Sequence, residues 1–480
     1  MAVRIARSGA YAAALPLLAR AKAGRSVCPD LGFAAALSHF ELGNVDAAIR
    51  ELRRVARSKD PEVRRAALRR IAVCIPGAPG ASNPQILKAR RQWAGVEMGK
   101  ESPRVDAATL PGARRRKLRI GYVSAFLAFR NWMKPVWGTL DAHERGAFEI
   151  HLFLDRGLPS RGRGYAPRKS DRIHRLDSLT NEEAARRVAA AGIDILVDLN
   201  GYSRPGRLGI FLRRPAPIQI GWYNTFATSG IDAFDYAIAD DASLPPAEER
   251  FYTERILRVS GSYLAFSVAY PVPDVGAPPF ARTGRITFGC LAPQYKINDD
   301  VIAAFSRILC AVPGARLLLK NSCMANEGNR AAVLARFLRH GISGDQLLLE
   351  GPAEHYTFLK AYGRIDVALD TFPYSGGSTT MEALWQGVPV LTFHGDRWAS
   401  RTSSSLLLAA GLRDWVRPSR QSYIRRAIEL GDSANNGARL TFLRSAMRER
   451  LRRSPVCDVV GLCRQLEAHY RAVAESSCAS

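Results

Sequence analysis

Asp370-Thr-Phe-Pro-Tyr-Ser-Gly-Gly-Ser-Thr-Thr-Met-Glu-Ala-Leu-Trp385 is the most informative stretch of this chain. Residues 367–370 are a short apolar run ending on Asp370 and read as a buried strand, and 380–386 reads as a helix. Gly376 and Gly377 strip the intervening turn of side chains, so that a ligand can approach the backbone closely. Ser378, Thr379 and Thr380 open the helix, where unpaired N–H groups and the helix dipole favour an anion and hydroxyls add donors. This is a diphosphate cradle without a Walker lysine. Glu382, one turn in, is placed to accept hydrogen bonds from a ribose. An ordinary N-cap after a turn produces the same local pattern, so the rest of the chain must discriminate.

Strand and helix signals alternate on both sides of this segment. Strands are expected at 285–289, 315–320, 347–350, 367–370 and 388–393, with helices at 299–311, 330–340, 355–362 and 380–386. Before them, Pro271, Pro273, Pro278 and Pro279 make a linker. Upstream of the linker, 118–124, 148–154, 193–199, 218–222 and 236–239 read as strands and 181–191 as a helix. Such alternation predicts parallel, doubly wound sheets, hence an α/β fold of two Rossmann-like domains facing a cleft. Ligands of such sheets bind beyond the carboxyl ends of the strands.

The front of the chain differs. Gly9-Ala10-Tyr11-Ala12-Ala13-Ala14-Leu15 is echoed by Gly43-Asn44-Val45-Asp46-Ala47-Ala48-Ile49, 34 residues on. That is the period of the tetratricopeptide repeat, a helix-turn-helix unit that stacks on its neighbours. Residues 31–42 and 46–57 read as its two helices and 61–74 as the start of another unit. An Ala-rich helical hairpin is the plainer alternative. Arg4, Arg7 and the apolar run 10–19 imitate a signal peptide, but Pro16 and Arg20 fit one poorly.

The 480 residues carry 69 Lys+Arg against 44 Asp+Glu, a net charge of +25, with 47% hydrophobic and 24% charged residues. This balance excludes wholesale disorder and a collagen-like chain, and the length predicts about three domains. The positive charge suits an anionic partner without choosing among nucleic acid, lipid and phosphorylated metabolites. The eight cysteines form no CxxC and no zinc spacing with histidine, so scattered reduced thiols and no metal site are expected. No apolar run reaches the ~20 residues of a membrane helix; a cytoplasmic protein is expected.

Taken in order, Arg213-Arg-Pro-Ala-Pro-Ile-Gln219, Gln294-Tyr-Lys-Ile297, the run 370–385, Asp396-Arg-Trp-Ala-Ser-Arg401 and Ser454-Pro-Val-Cys-Asp458 resemble the catalytic region of the protein O-linked N-acetylglucosaminyltransferase family, which includes the SPINDLY-type enzymes. The resemblance spans about 118–473, and family members carry tetratricopeptide repeats ahead of it. It implies a GT-B fold and inverting, metal-independent transfer of N-acetylglucosamine from UDP-GlcNAc to Ser/Thr hydroxyls of proteins, with no cofactor. Lys296 matches the family's diphosphate-binding lysine, Ser378 and Thr379 the positions at the phosphates, Glu382 the acidic position at the ribose, and His355 a histidine near the nucleotide. SPINDLY-type members imply GDP-fucose as the alternative donor.

Two departures stand out. The region Phe129-Arg-Asn-Trp-Met-Lys-Pro-Val136 lacks the family's usual histidine, and Trp222-Tyr-Asn-Thr-Phe-Ala-Thr-Ser229 replaces its Gly-Tyr-Pro-Gly loop. Asp198, in Asp198-Leu-Asn-Gly-Tyr202 at a strand end, is a candidate general base, and capping of its own loop is an equal alternative. His143, His151 and His174 lack a motif and are assigned to surface or strand positions. The domain reading is 1–80 tetratricopeptide-like repeats, 81–116 a linker helix and basic linker, 117–275 a Rossmann-like acceptor-side domain, 283–455 a Rossmann-like nucleotide-sugar domain, and 456–480 a C-terminal helix and tail. The rival from another class is a repeat scaffold that binds protein partners, with a degenerate transferase half. Nucleic-acid binding is weaker, because no aromatic-rich basic motif supports it.

Overall fold

The computed structural model describes residues 1–23, 28–99, 117–157 and 165–479. Most of the basic linker, 100–116, lies outside the described residues, as do the side chains of 130–133 within the histidine-less region. The chain forms two compact units, residues 1–82 with 271–452, and 83–270 with 453–480.

In the second unit, β1 (Leu118–Ser124), β2 (Phe148–Leu154), β3 (Arg172–Arg175), β4 (Ile195–Asp198), β5 (Ile218–Gly221), β6 (Tyr236–Ala239) and β7 (Arg255–Arg258) form a parallel sheet in the order β3-β2-β1-β4-β5-β6-β7. In the first unit, β8 (Thr287–Cys290), β9 (Arg316–Lys320), β10 (Leu347–Glu350), β11 (Val367–Leu369), β12 (Val390–Phe393) and β13 (Val416–Arg417) form a second parallel sheet, β10-β9-β8-β11-β12-β13. Both orders are Rossmann-like, reversing between the first and fourth strands of each sheet. The central strands are apolar and buried along their length, as a sheet covered on both faces requires. Helix starts are marked by caps: Thr180 and Glu183 form a reciprocal capping box, and Asn298 accepts from Val301 N–H.

Three short strands escaped the sequence pattern. β3, β7 and β13 lie at sheet edges and carry arginines, so their alternation is too brief and too charged to register. The helix Arg130–Ala142 was hidden by its internal Pro135. His143, expected at a surface or strand position, instead follows that helix fully buried. Its Nδ1–H donates to Glu467 at 3.0 Å, and its Nε2 faces the Tyr122 hydroxyl at 2.8 Å. Burial opposes the Glu467 charge, but bonds from His143, Glu144 N–H and Arg464 outweigh it and hold the carboxyl down to about 2. This network fastens the C-terminal helix Val459–Ala479 to β1. His151 and His174 lie on β2 and β3, as expected.

The first unit opens with helices Ala2–Arg7, Tyr11–Lys22, Pro29–Glu41, Val45–Val55 and Pro61–Cys74. Gly9 and Gly43, the 34-residue pair, both adopt φ 87°, the left-handed helix end only glycine tolerates well. Ala6, Ala14, Leu18, Ala34 and Ala35 form a small-residue core that lets these helices approach closely.

Within this unit, the turns at Gly9 and Leu42 of the helical segment are held by the helix Glu327–Leu338. Asn329, fully buried, donates to the carbonyls of Gly9 (2.8 Å) and Cys323 (3.2 Å) and accepts from Ala12 N–H (3.0 Å). Arg336 donates to Leu42 O at 2.6 Å. The helical segment and the second sheet should therefore melt together. Asn329→Ala strands three polar groups, one buried and two part-buried, and should cost about 2 kcal/mol, lowering the melting midpoint of this unit by roughly 4–8 °C. Calorimetry checks this, and an unchanged transition would mean that the helices melt independently.

Candidate functional site

The carboxyl ends of β8 and β11 are neighbours where the second sheet's order reverses. Asp370, directly after β11, is buried and organises the loop that follows. Its Oδ1 accepts Gly376 N–H at 2.8 Å, its Oδ2 accepts the Thr392 hydroxyl at 2.7 Å, and its carbonyl accepts the Tyr423 hydroxyl at 3.1 Å. Burial pushes its carboxyl pKa up against these donors. The two glycines play different parts. A Cβ on Gly376 would stand 2.3 Å from Thr380 Oγ1 and 3.1 Å from Thr379 Oγ1, whereas one on Gly377 would meet only Thr402 at 3.6 Å. Gly376 is thus dictated by packing, and Gly377 leaves the approach to the helix open.

The helix Ser378–Trp385 starts from Gly377 with no side-chain cap, so its first N–H groups have no partner within the helix and no capping side chain. The Ser378 and Thr379 side chains are half-buried there, while Thr380 is buried and bonded to Ser403 Oγ at 2.8 Å. Ser403 also donates to Gly376 O at 3.1 Å, so Thr380 shapes the cradle from beneath. One turn in, buried Glu382 lies 3.0 Å from His355 Nε2, which reaches it from the start of the helix His355–Lys360. Two residues 27 apart in sequence thus form one pair.

Lys296 arrives from the turn Gln294–Lys296 after β8. Its Nζ donates to Ser375 O at 2.7 Å and lies 3.9 Å over the Tyr374 ring. Ser375 is held in turn by Ala399 O, which accepts both its N–H (2.9 Å) and its hydroxyl (3.0 Å). Burial draws the Lys296 ammonium down to about 8, against the neighbouring Asp370 carboxylate. Lys296, Gly376, Gly377, Ser378, Thr379, Thr380, Glu382 and His355 therefore gather in one compact unit.

Asp198 occupies the matching position in the other unit, ending β4 beside β1. Its two oxygens accept Asn200 N–H and Gly201 N–H, both at 2.9 Å. That is the geometry of the loop-capping alternative. Nearby, Asn224 and Phe226 hold left-handed φ of 65° and 51°, uncommon for non-glycine residues. Sequence reasoning passed over Asp370 as a clamp and missed Ser375, Thr392, Ser403 and Tyr374. The usable signal was the polar run Thr402-Ser-Ser-Ser405, which is wholly buried.

The chain belongs to glycosyl transferase family 41, whose model matches residues 103–267 and 283–466. Among solved structures, a point mutant of the O-GlcNAc transferase of Thermobaculum terrenum superposes with a TM-score of 0.86 at 30% identity, over 98% of this chain and 89% of that one. It shares the GT-B arrangement of two Rossmann-like sheets after a helical segment. Curated relatives include the probable UDP-N-acetylglucosamine–peptide N-acetylglucosaminyltransferases SPINDLY of Petunia hybrida, 27% identical over 87% of this chain, and of rice, 29% identical over 86%. The chain spans 45% and 44% of the length of these two relatives. The corresponding enzyme of Caenorhabditis elegans is 23% identical over 78% of this chain.

Burial pushes Asp198 up to about 7 from an ordinary 3.8, against its two N–H donors. Between those values the unfolded chain has released this proton and the folded chain retains it. Stability should therefore fall as pH rises from about 4 to about 7. Asp198→Asn should lack that decline in urea midpoints; the same decline in the variant would assign the titration to another group.

Proposed function

We propose that this chain is an inverting glycosyltransferase that moves N-acetylglucosamine from UDP-GlcNAc to Ser/Thr hydroxyls of proteins without a metal ion. The observation that carries this reading is the convergence of Lys296 with the uncapped helix start at Ser378, in a chain of family 41. The free N–H groups and the hydroxyls of Ser378 and Thr379 would hold the diphosphate, and Gly376 and Gly377 give it access. Thr380 supports the loop from below. Glu382 takes the ribose hydroxyls, with His355 fixing its carboxylate. Lys296 neutralises the charge that builds on the diphosphate as the glycosidic bond breaks. Asp198, with both oxygens engaged, is better suited to anchoring its loop than to accepting a proton from the acceptor. Free cysteines, and the lack of any helix long and apolar enough to cross a membrane among the described residues, support a cytoplasmic setting.

A panel of UDP- and GDP-sugars assayed for binding and hydrolysis in chelator tests this. UDP-GlcNAc should bind and turn over; preference for GDP-fucose would favour the SPINDLY-type alternative, and neither binding nor hydrolysis would favour the scaffold. Lys296→Ala should lower kcat about a hundred- to thousandfold, on the order of 3–4 kcal/mol, with a smaller effect on donor Kd. Lys296→Arg should rescue poorly, because a planar fork does not replace a compact ammonium. Donor affinity of the wild type should fall above about pH 8, where Lys296 loses its proton, and both variants should lack that limb. Unchanged kcat in Lys296→Ala would remove the lysine from the mechanism.

A further inference from the structure

We infer that the helical segment is a buttress for the donor lysine, and that Phe40, stacked on Tyr295, is a positioning residue for Lys296. The inference rests on the reading of Lys296 as the diphosphate ligand and gives the helical segment a part in donor chemistry.

Tyr295 and Lys296 share one three-residue turn, whose preceding residue supplies no side-chain cap. The position of that turn is therefore set by what touches it, and much of that comes from the repeats. The Phe40 and Tyr295 rings stack with centroids 4.8 Å apart and planes 14° from parallel. Tyr295 then lies 6.2 Å from Tyr374, the ring over which the ammonium sits. Three residues beyond Phe40, the Gly43 turn rests on the same backbone. A Cβ there would stand 2.4 Å from Ile297 O and 3.1 Å from Gln294 O, so the repeat turn touches carbonyls flanking Tyr295 and Lys296. A third contact comes from the end of the segment, where Gly77 would carry a Cβ 3.4 Å from the Tyr374 ring and Ala78 O accepts from buried Arg397 at 3.0 Å.

Lys296 has a flexible four-carbon stem with about 2 kcal/mol of rotamer entropy. An ammonium that must meet a leaving oxygen needs its base held, since a displacement of about 1 Å can cost a hundredfold in rate. The chain Phe40–Tyr295–Tyr374, with Gly43 beneath the turn, supplies that restraint through rings that have few torsions to lose. The turns of both repeats also face this unit, through Asn329 at Gly9 and Arg336 at Leu42. That edge of the repeats is therefore unavailable to acceptor proteins.

The test uses the full chain and compares wild type, Phe40→Leu, Phe40→Tyr and Lys296→Ala. The readouts are donor-sugar turnover, its pH profile and the melting midpoint. Phe40→Leu keeps an apolar side chain but loses the ring. It should lose roughly tenfold in kcat, within the range that misplacement produces, and move the alkaline limb upward as the ammonium loosens toward water. Phe40→Tyr keeps the stack and should restore both. A Phe40→Leu protein whose rate loss merely tracks its folded fraction, with the limb unmoved, would overturn the inference, as would one with unchanged kcat. If Phe40→Leu does not fold, Tyr295→Leu opens the same stack from the other side and is judged by the same outcomes. Lys296→Ala separates the two claims. If it keeps both kcat and the limb, the reading of Lys296 itself fails; if it loses them while Phe40→Leu does not, only the buttress fails.

Discussion

The Asp370 carboxylate is the constraint on which the candidate site depends. A charge placed at the end of a buried strand must be met by donors, and the donors here are a loop N–H and a hydroxyl on the adjacent strand. Meeting them folds 370–376 back on itself, presents Ser375 O to the lysine and delivers the chain into the helix at Ser378. The first sheet repeats the device. Asp198 closes the fourth strand, beside the first, and also accepts N–H groups of the loop that follows. Two sheets of similar order thus use a strand-end carboxylate at the same switch point, and only one of them leads into an uncapped helix of useful length.

The sequence was most legible where one local rule dominated. The strands Leu118–Ser124, Phe148–Leu154 and Leu347–Glu350 are apolar runs, and each was located to the residue. The helix Pro61–Cys74 was equally clear, with Pro61 at its first position and Asp60 capping it. Lys296, the glycine pair, Ser378, Thr379 and Glu382 were legible through ordered motifs, since their spacing accompanies a known family.

What stayed hidden was set by distant partners. The pairing of Thr380 with Ser403 spans 23 residues, and that of His143 with Glu467 spans 324. No local period reports such contacts. A histidine without a motif looks like surface until the C-terminal helix brings a carboxylate to it. Asp198 shows the converse: the residue stood out in the sequence, and the partners of both its oxygens are N–H groups of its own loop. That the helical segment shares one compact unit with the second sheet was hidden for the same reason, because Asn329 and Arg336, which hold its turns, lie about 300 residues downstream.

That separation bears on how the chain is made. Residues 1–82 leave the ribosome well before the helix that receives Gly9 and Leu42, which follows more than 280 residues later. At about 5–20 residues per second, the interval is on the order of 15–60 s. The other unit likewise waits for the helix Val459–Ala479, which follows the whole of the second sheet. Neither unit can close until its most distant element has been made. Throughout that interval the nascent helices carry uncovered apolar faces, a period of aggregation risk that shorter-range topologies avoid.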